Sequence, residues 1–98
     1  MNNFQDIINS GKPTLVDMFA TWCGPCKMMH PILEEVKQHL GERATIIKVD
    51  IDQNEALAQQ LGIQSVPTLL IYKNGAIVWR AVGVQSASTL IQALESFM

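Results

Sequence analysis

Residues 14–41 read TLVDMFATWCGPCKMMHPILEEVKQHLG, and this stretch decides the fold. Thr14 to Ala20 is a mostly apolar run, through Leu15, Val16, Met18, Phe19 and Ala20, interrupted by Asp17. A short apolar run of this kind marks a strand buried on both faces. The period then changes: Met29, Ile32, Leu33, Val36 and Leu40 recur at helical spacing. They predict a long amphipathic helix, which Gly41 ends. Pro31 falls inside it, removes one hydrogen bond and predicts a kink. Between strand and helix stand Trp22-Cys23-Gly24-Pro25-Cys26-Lys27.

Working outward, Phe4, Ile7 and Ile8 have helical spacing, and Ser10-Gly11-Lys12-Pro13 stops that short helix. Ala44 to Ile51 is β-rich. Glu55 to Leu61 reads as a helix, with Asn54 as candidate N-cap and Gly62 just past its end. Thr68 to Tyr72 and Ala76 to Val82 are strands joined by Asn74-Gly75, a strong hairpin signal. Ser86 can cap a last helix carrying Leu90, Ile91, Leu94 and Phe97. The order α-β-α-β-α-β-β-α begins with a strand–helix–strand unit, hence a parallel pair with a right-handed crossover. The hairpin adds an antiparallel pair. The expected fold class is α/β: one domain over residues 1–98, a mixed four-stranded sheet and about four helices on both faces.

Composition bounds the function. The 98 residues are 48% hydrophobic and 16% charged, with a formal net charge of −2. The seven basic side chains are scattered singly, which disfavours nucleic acid as a partner. No apolar run is long enough for a membrane span. The N-terminus has neither a basic region nor an apolar core, so no signal peptide is expected, and the default location is cytoplasmic. Two thiols three positions apart in a reducing compartment point to redox chemistry or metal rather than a structural staple.

The turn itself narrows this. Pro25 suits the first turn of a helix, where its missing N–H costs nothing. Gly24 lets the backbone turn closely and leaves the neighbouring sulfur uncovered. Cys23 then faces the unsatisfied N–H groups of the helix start, which favour a thiolate. Cys26, one turn in, is expected to be the more shielded thiol. Cys23 is therefore the candidate nucleophile on a substrate disulfide, and Cys26 the resolving thiol. A four-ligand zinc site would need two more ligands. His30 and His39 are the only histidines and share one helix, so no metal is expected. Lys27 stands where haem attachment requires a histidine.

With these residues in hand, the chain resembles the thioredoxin family. Trp22-Cys23-Gly24-Pro25-Cys26-Lys27 matches that family's active-site signature. Matches continue through Asp17, Pro31, Lys48, Ile51-Asp52-Gln53-Asn54, Gly62-Ile63, Val66-Pro67-Thr68, Lys73-Asn74-Gly75 and Val82-Gly83. The resemblance covers nearly the whole chain. It implies a thioredoxin-like fold and a general protein-disulfide reductase, recycled by a thioredoxin reductase, with protein disulfides as substrates. No cofactor is implied beyond the Cys23–Cys26 redox disulfide.

The resemblance also assigns roles. It places Asp17 beneath the active site, exchanging a proton with Cys26, where the residues alone allow equally an Asp facing water. It makes Lys48 the neighbour of that Asp, where strand alternation allows an ordinary exposed lysine. It makes Val66–Pro67 a cis bond opposite the cysteines, where the alternative is a trans proline opening a strand. Trp22, Val66, Pro67 and Gly83, with Gly24 and Pro25, would form an apolar rim for extended substrates. Gly24-Pro25 resembles reductases rather than oxidants or isomerases of the family. The alternative from another class is a non-catalytic thioredoxin-fold module for binding or chaperoning.

Two departures are visible. Phe19 stands where many relatives have a second tryptophan, and Trp79 has no functional account. Family members usually begin with an extra edge strand, and only Met1-Asn2-Asn3 precedes Phe4. That strand is expected to be missing. The chain is expected to be a monomer, with a dimer through the uncovered sheet edge as the alternative.

Overall fold

The computed structural model describes residues 2–98. The elements follow in the order α1 (Asn2–Ile8), β1 (Thr14–Phe19), α2 (Gly24–Leu40), β2 (Thr45–Asp50), α3 (Glu55–Gln60), β3 (Thr68–Lys73), β4 (Ala76–Val82) and α4 (Ala87–Glu95). A 3-10 turn at Gly41–Arg43, which the sequence pattern does not reveal, follows α2. The sheet order is β2-β1-β3-β4. β1 runs parallel to β2 and antiparallel to β3, and β3 pairs antiparallel with β4. The expected mixed four-stranded sheet is therefore present. Among the described residues no strand precedes α1; Met1 lies outside them.

Burial explains the layers. Thr14 through Met18 of β1 and Thr68 through Tyr72 of β3 are all buried. Alternate side chains feed opposite faces. Leu15, Leu69 and Ile71 pack with Met29, Leu33, Val36 and Leu40 of α2 and with Leu90 and Leu94 of α4. Val16, Met18, Leu70 and Tyr72 pack on the other face with Phe4 and Ile8 of α1 and Ala58 of α3. Each fully buried large apolar side chain contributes about 1.5–3 kcal/mol. Trp79, partly buried, packs against the α2–α4 layer, so its place is structural.

The ends of the elements follow local chemistry. Gly41 closes α2 at φ +56°, and its N–H reaches the Lys37 carbonyl. α2 continues through Pro31 as one helix. Ser86 Oγ accepts the Thr89 N–H at 3.2 Å, the expected cap of α4. Asn54 differs from expectation. It occupies the N-cap position of α3, but its side chain makes no capping bond. Its Nδ2 donates instead to the Asp50 carbonyl at 3.0 Å, tying α3 to the end of β2. No helix is long and apolar enough to cross a membrane among the described residues.

The β3–β4 hairpin turns on Asn74 (φ +54°) and Gly75 (φ +83°). Gly75 also donates its N–H to the Ile8 carbonyl at 2.9 Å, docking α1 on the hairpin. A side chain at Gly75 would be strained by its φ and would collide with Asn9 Oδ1. Gly75→Ala is expected to destabilise the fold by at least about 1 kcal/mol. In an Asn9→Ala background the loss should shrink but not vanish, since the φ strain stays. Urea unfolding of the four variants measures both parts.

Candidate active site

β1 delivers the chain to the end of the sheet, and α2 starts at Gly24 after four intervening residues. Cys23 is the N-cap of α2, in extended conformation, and Pro25 sits in the first turn. The Cys23 sulfur accepts the Cys26 backbone N–H at 3.1 Å. A 17-residue helix thus points its positive end at that sulfur. Cys23 and Cys26 are joined as a disulfide, with Cα atoms 5.3 Å apart.

One expectation needs correction. Cys23 and Cys26 are equally enclosed, at 5% and 4% exposure. In the disulfide each sulfur covers the other, and Ala20, Phe19, Ile51 and Val66 pack around the pair. The two cysteines differ in partners rather than in gross exposure. Cys23 Sγ lies at the helix start and 3.6 Å from the Val66 carbonyl oxygen. Cys26 lines a cleft with Phe19, Thr21, Lys27, His30 and Lys48, and Cys23 does not.

Val66–Pro67 is cis, as the family resemblance implies. The Pro67 carbonyl accepts the Gly83 N–H at 2.8 Å. Val66, Pro67 and Gly83 are therefore one connected unit beside Cys23. Trp22 is exposed, and its indole N–H donates to Asp52 Oδ2 at 2.9 Å. Val82 and Val84 are exposed on either side of Gly83 and lengthen the apolar rim. Neither the Trp22–Asp52 bond nor these valines was legible beforehand. The bond spans thirty residues of sequence, and valines in and after a strand read as core.

Asp17 is fully buried. Neither carboxyl oxygen has a hydrogen-bond partner. Strand alternation puts its side chain on the face of Leu15, beneath α2, and it stands opposite Leu69 of β3 and Lys48 of β2. Burial pushes its pKa from 3.8 up to about 6, and the Lys48 charge pulls in the opposite direction. The water-facing alternative for Asp17 is thereby excluded. Lys48 is exposed on the outer strand, with Nζ 5.0 Å from the centre of the Phe19 ring. Phe19 supplies the aromatic face for that ammonium.

The fold and a disulfide-bonded Cys-Gly-Pro-Cys pair at a helix start define a thiol–disulfide oxidoreductase of the thioredoxin-like class. The sequence model of the thioredoxin family matches residues 1–96. The chain is 50% identical to a thioredoxin-like protein of Synechocystis sp., over 98% of this chain and 92% of the relative. It is 45% identical to the thioredoxin of Mycolicibacterium smegmatis, over 92% of this chain and 82% of the relative. A mutant thioredoxin from Halobacterium salinarum superposes with a TM-score of 0.90 at 34% identity, covering 99% of this chain and 84% of that one. The chain belongs to the thioredoxin family, whose activity is that of a protein-disulfide reductase.

The orphaned carboxylate makes a stability prediction. A folded-state pKa of about 6 against 3.8 means that the folded protein holds this proton more tightly than the unfolded chain. Its favourable contribution is complete below pH 3.8 and is lost as pH rises through about 6. The shift corresponds to about 3 kcal/mol. Asp17→Asn should therefore gain stability relative to wild type as pH rises through that window, by up to about 3 kcal/mol. Urea titrations of the oxidised proteins across the window measure it. A difference between the two proteins that does not change with pH contradicts the assignment.

Proposed function

We propose that this protein reduces protein disulfides by a cycle that Cys23 opens and Cys26 closes. The observation that carries this reading is the Cys23 sulfur at the N-cap of α2, accepting the Cys26 N–H at 3.1 Å. In the dithiol form the same N–H and the helix end favour the Cys23 thiolate.

The Cys23 thiolate attacks one sulfur of a substrate disulfide. The Cys23–substrate S–S bond forms, the substrate's own S–S bond breaks, and the first substrate thiolate leaves and takes a proton. Cys26 then loses its proton and attacks Cys23 Sγ. The mixed disulfide breaks, the second substrate sulfur leaves as a thiolate and is protonated, and Cys23–Cys26 is the product disulfide. Two electrons pass from the dithiol to the substrate, and no cofactor takes part. Asp17 is the acceptor for the Cys26 proton, since a carboxylate titrating at about 6 can take and return it near neutrality. Lys48 keeps Asp17 from rising further. Gly24 and Pro25 shape the turn that sets the Cys23 sulfur at the start of α2.

Trp22, Val66, Pro67 and Gly83 form the substrate platform. An extended substrate segment would pair with the Val66 backbone, and the exposed Trp22 and Val82 would cover its apolar side chains. Such recognition of backbone and apolar surface fits many protein substrates. A thioredoxin reductase is the electron donor we assign. A Mycobacterium leprae relative described as a bifunctional thioredoxin reductase/thioredoxin matches 94% of this chain at 41% identity, over 20% of that relative. The protein acts in the cytoplasm as a monomer. A charge in the middle of the outer strand, Lys48, discourages strand addition at that edge.

Cys23→Ser is expected to abolish insulin-disulfide reduction. Cys26→Ser should retain the first attack and accumulate covalent mixed disulfides, visible on non-reducing gels and by mass spectrometry. If Cys26→Ser traps nothing while Cys23→Ser keeps the biological role, the non-catalytic binding module is the right reading. Lys48→Met should raise the Asp17 pKa above its wild-type value, as followed by carboxyl NMR shifts, because the Lys48 charge that opposes the effect of burial is gone.

A further inference from the structure

The loop between α3 and β3, residues 61–67, carries the Val66 carbonyl that lies 3.6 Å from Cys23 Sγ. Its far end is fixed. The Pro67 carbonyl accepts the Gly83 N–H at 2.8 Å, and Thr68 Oγ1 donates to the Ser65 carbonyl at 2.6 Å. Its near end leaves α3 through Leu61 and Gly62, with Gly62 at φ +67°. The N–H groups of Gly62 and Ile63 turn back to the Gln59 and Ala58 carbonyls at 3.1 and 3.0 Å. The Leu61 and Gly62 carbonyls lie past the last helical residue, where no intrahelical donor reaches. One side chain takes both. Arg80 Nη1 donates to the Leu61 carbonyl at 3.0 Å, and Nη2 donates to the Gly62 carbonyl at 3.2 Å.

Arg80 stands within β4, opposite Leu70 and three residues before Gly83. β4 therefore grips the loop twice: the Arg80 side chain holds its start, and the Gly83 backbone holds its finish. A guanidinium has the planar fork needed to span two neighbouring carbonyls, and a lysine ammonium has not. Its charge also suits the carbonyl end of a helix. Among the described residues no other side chain donates to the loop before Ser65. Both Arg80 bonds are exposed, so water competes for them and their share of global stability is small. Their effect is on placement. Val66 follows Gly62 by four residues, so a shift at the start of the loop moves the Val66 backbone relative to Cys23. Small misplacements of this kind weigh on rate far more than on folding.

We propose that Arg80 is a positioning residue for substrate recognition: by holding the Leu61 and Gly62 carbonyls, it fixes the loop that sets the Val66 backbone beside Cys23. Arg80 touches neither the substrate nor a reacting sulfur. An extended peptide that pairs with Val66 depends on this placement. A small disulfide that reaches Cys23 without backbone pairing does not. Arg80 thereby favours peptide disulfides over small ones. The inference rests on the Val66 platform and the Cys23 assignment proposed above.

Two matched substrates test this by stopped flow. One carries an aromatic thiol as a mixed disulfide on the cysteine of an uncharged extended peptide. The other carries the same aromatic thiol on mercaptoethanol. In both, attack of Cys23 on the aliphatic sulfur releases the same coloured thiolate. Reduced wild type, Arg80→Ala and Arg80→Lys are each mixed with excess substrate. The second-order constant for the peptide should fall about three- to tenfold in Arg80→Ala, the loss of a charge-assisted bond pair at an exposed site. The constant for the small disulfide should be unchanged, which also shows that the variant is folded with its thiol intact. The Gly62 and Ile63 amides should exchange faster with solvent in Arg80→Ala. Arg80→Lys, reaching one carbonyl at a time, should recover only part of the peptide rate. An unchanged peptide constant in Arg80→Ala overturns the proposal, as does an equal fall on both substrates. Full recovery in Arg80→Lys also overturns it, since charge alone would then suffice. If wild type attacks a peptide N-methylated on both sides of its cysteine as fast as the parent peptide, the Val66 platform itself is wrong. That failure shows in the wild type alone, and it takes this inference with it.

Discussion

A strand hydrogen-bonded along both edges and covered on both faces cannot change register without exposing its core set. β1 is such a strand: β2 and β3 flank it, and Leu15 and Val16 point into opposite layers. Everything at the site is placed from it. Its register puts Asp17 opposite Lys48 and Leu69, and its end hands the chain to the turn that carries the cysteines. A slip of one residue would move Asp17 to the α1–α3 face and Val16 beneath α2.

The cost of that placement is concentrated in one carboxyl. An unpartnered buried carboxylate is unfavourable, and the fold retains it because the central strand, packed by Leu15, Val16 and Met18, is held by many apolar contacts. The same burial that weakens the fold above the shifted pKa gives the group its use. A carboxyl that titrates near neutrality can trade protons with a thiol, whereas an ordinary surface Asp stays ionised. Stability and activity draw on this residue in opposite directions.

The two flanks of the Cys23–Cys26 turn have different work. On one, the Val66 carbonyl, cis-Pro67 and Gly83 form a backbone-rich apolar shelf beside Cys23. On the other, Lys27, His30 and Lys48 give Cys26 a basic, solvent-connected cleft. Both sulfurs remain nearly enclosed in the oxidised form, so the distinction between nucleophile and resolving thiol rests on these surroundings.

The sequence by itself determined much of this. Short apolar runs, the hairpin signal and helical periodicity placed every strand and helix to within a few residues, because each is a local property of the chain. The turn chemistry of Asn74-Gly75 and the cap at Ser86 were equally local. The Cys-Gly-Pro-Cys motif announced its chemistry because its parts lie next to one another. Other features belonged to the tertiary structure alone. Whether Asp17 faced water or core depended on which strands flanked β1, and the residue pattern allowed both. That Asn54 would tie to Asp50 rather than cap its helix depended on how β2 meets α3. The Trp22–Asp52 bond and the meeting of Cys26, His30 and Lys48 join residues from different elements, and no local period encodes such a meeting. Burial, charge and access are sums over neighbours distant in sequence, so only the folded chain decides them.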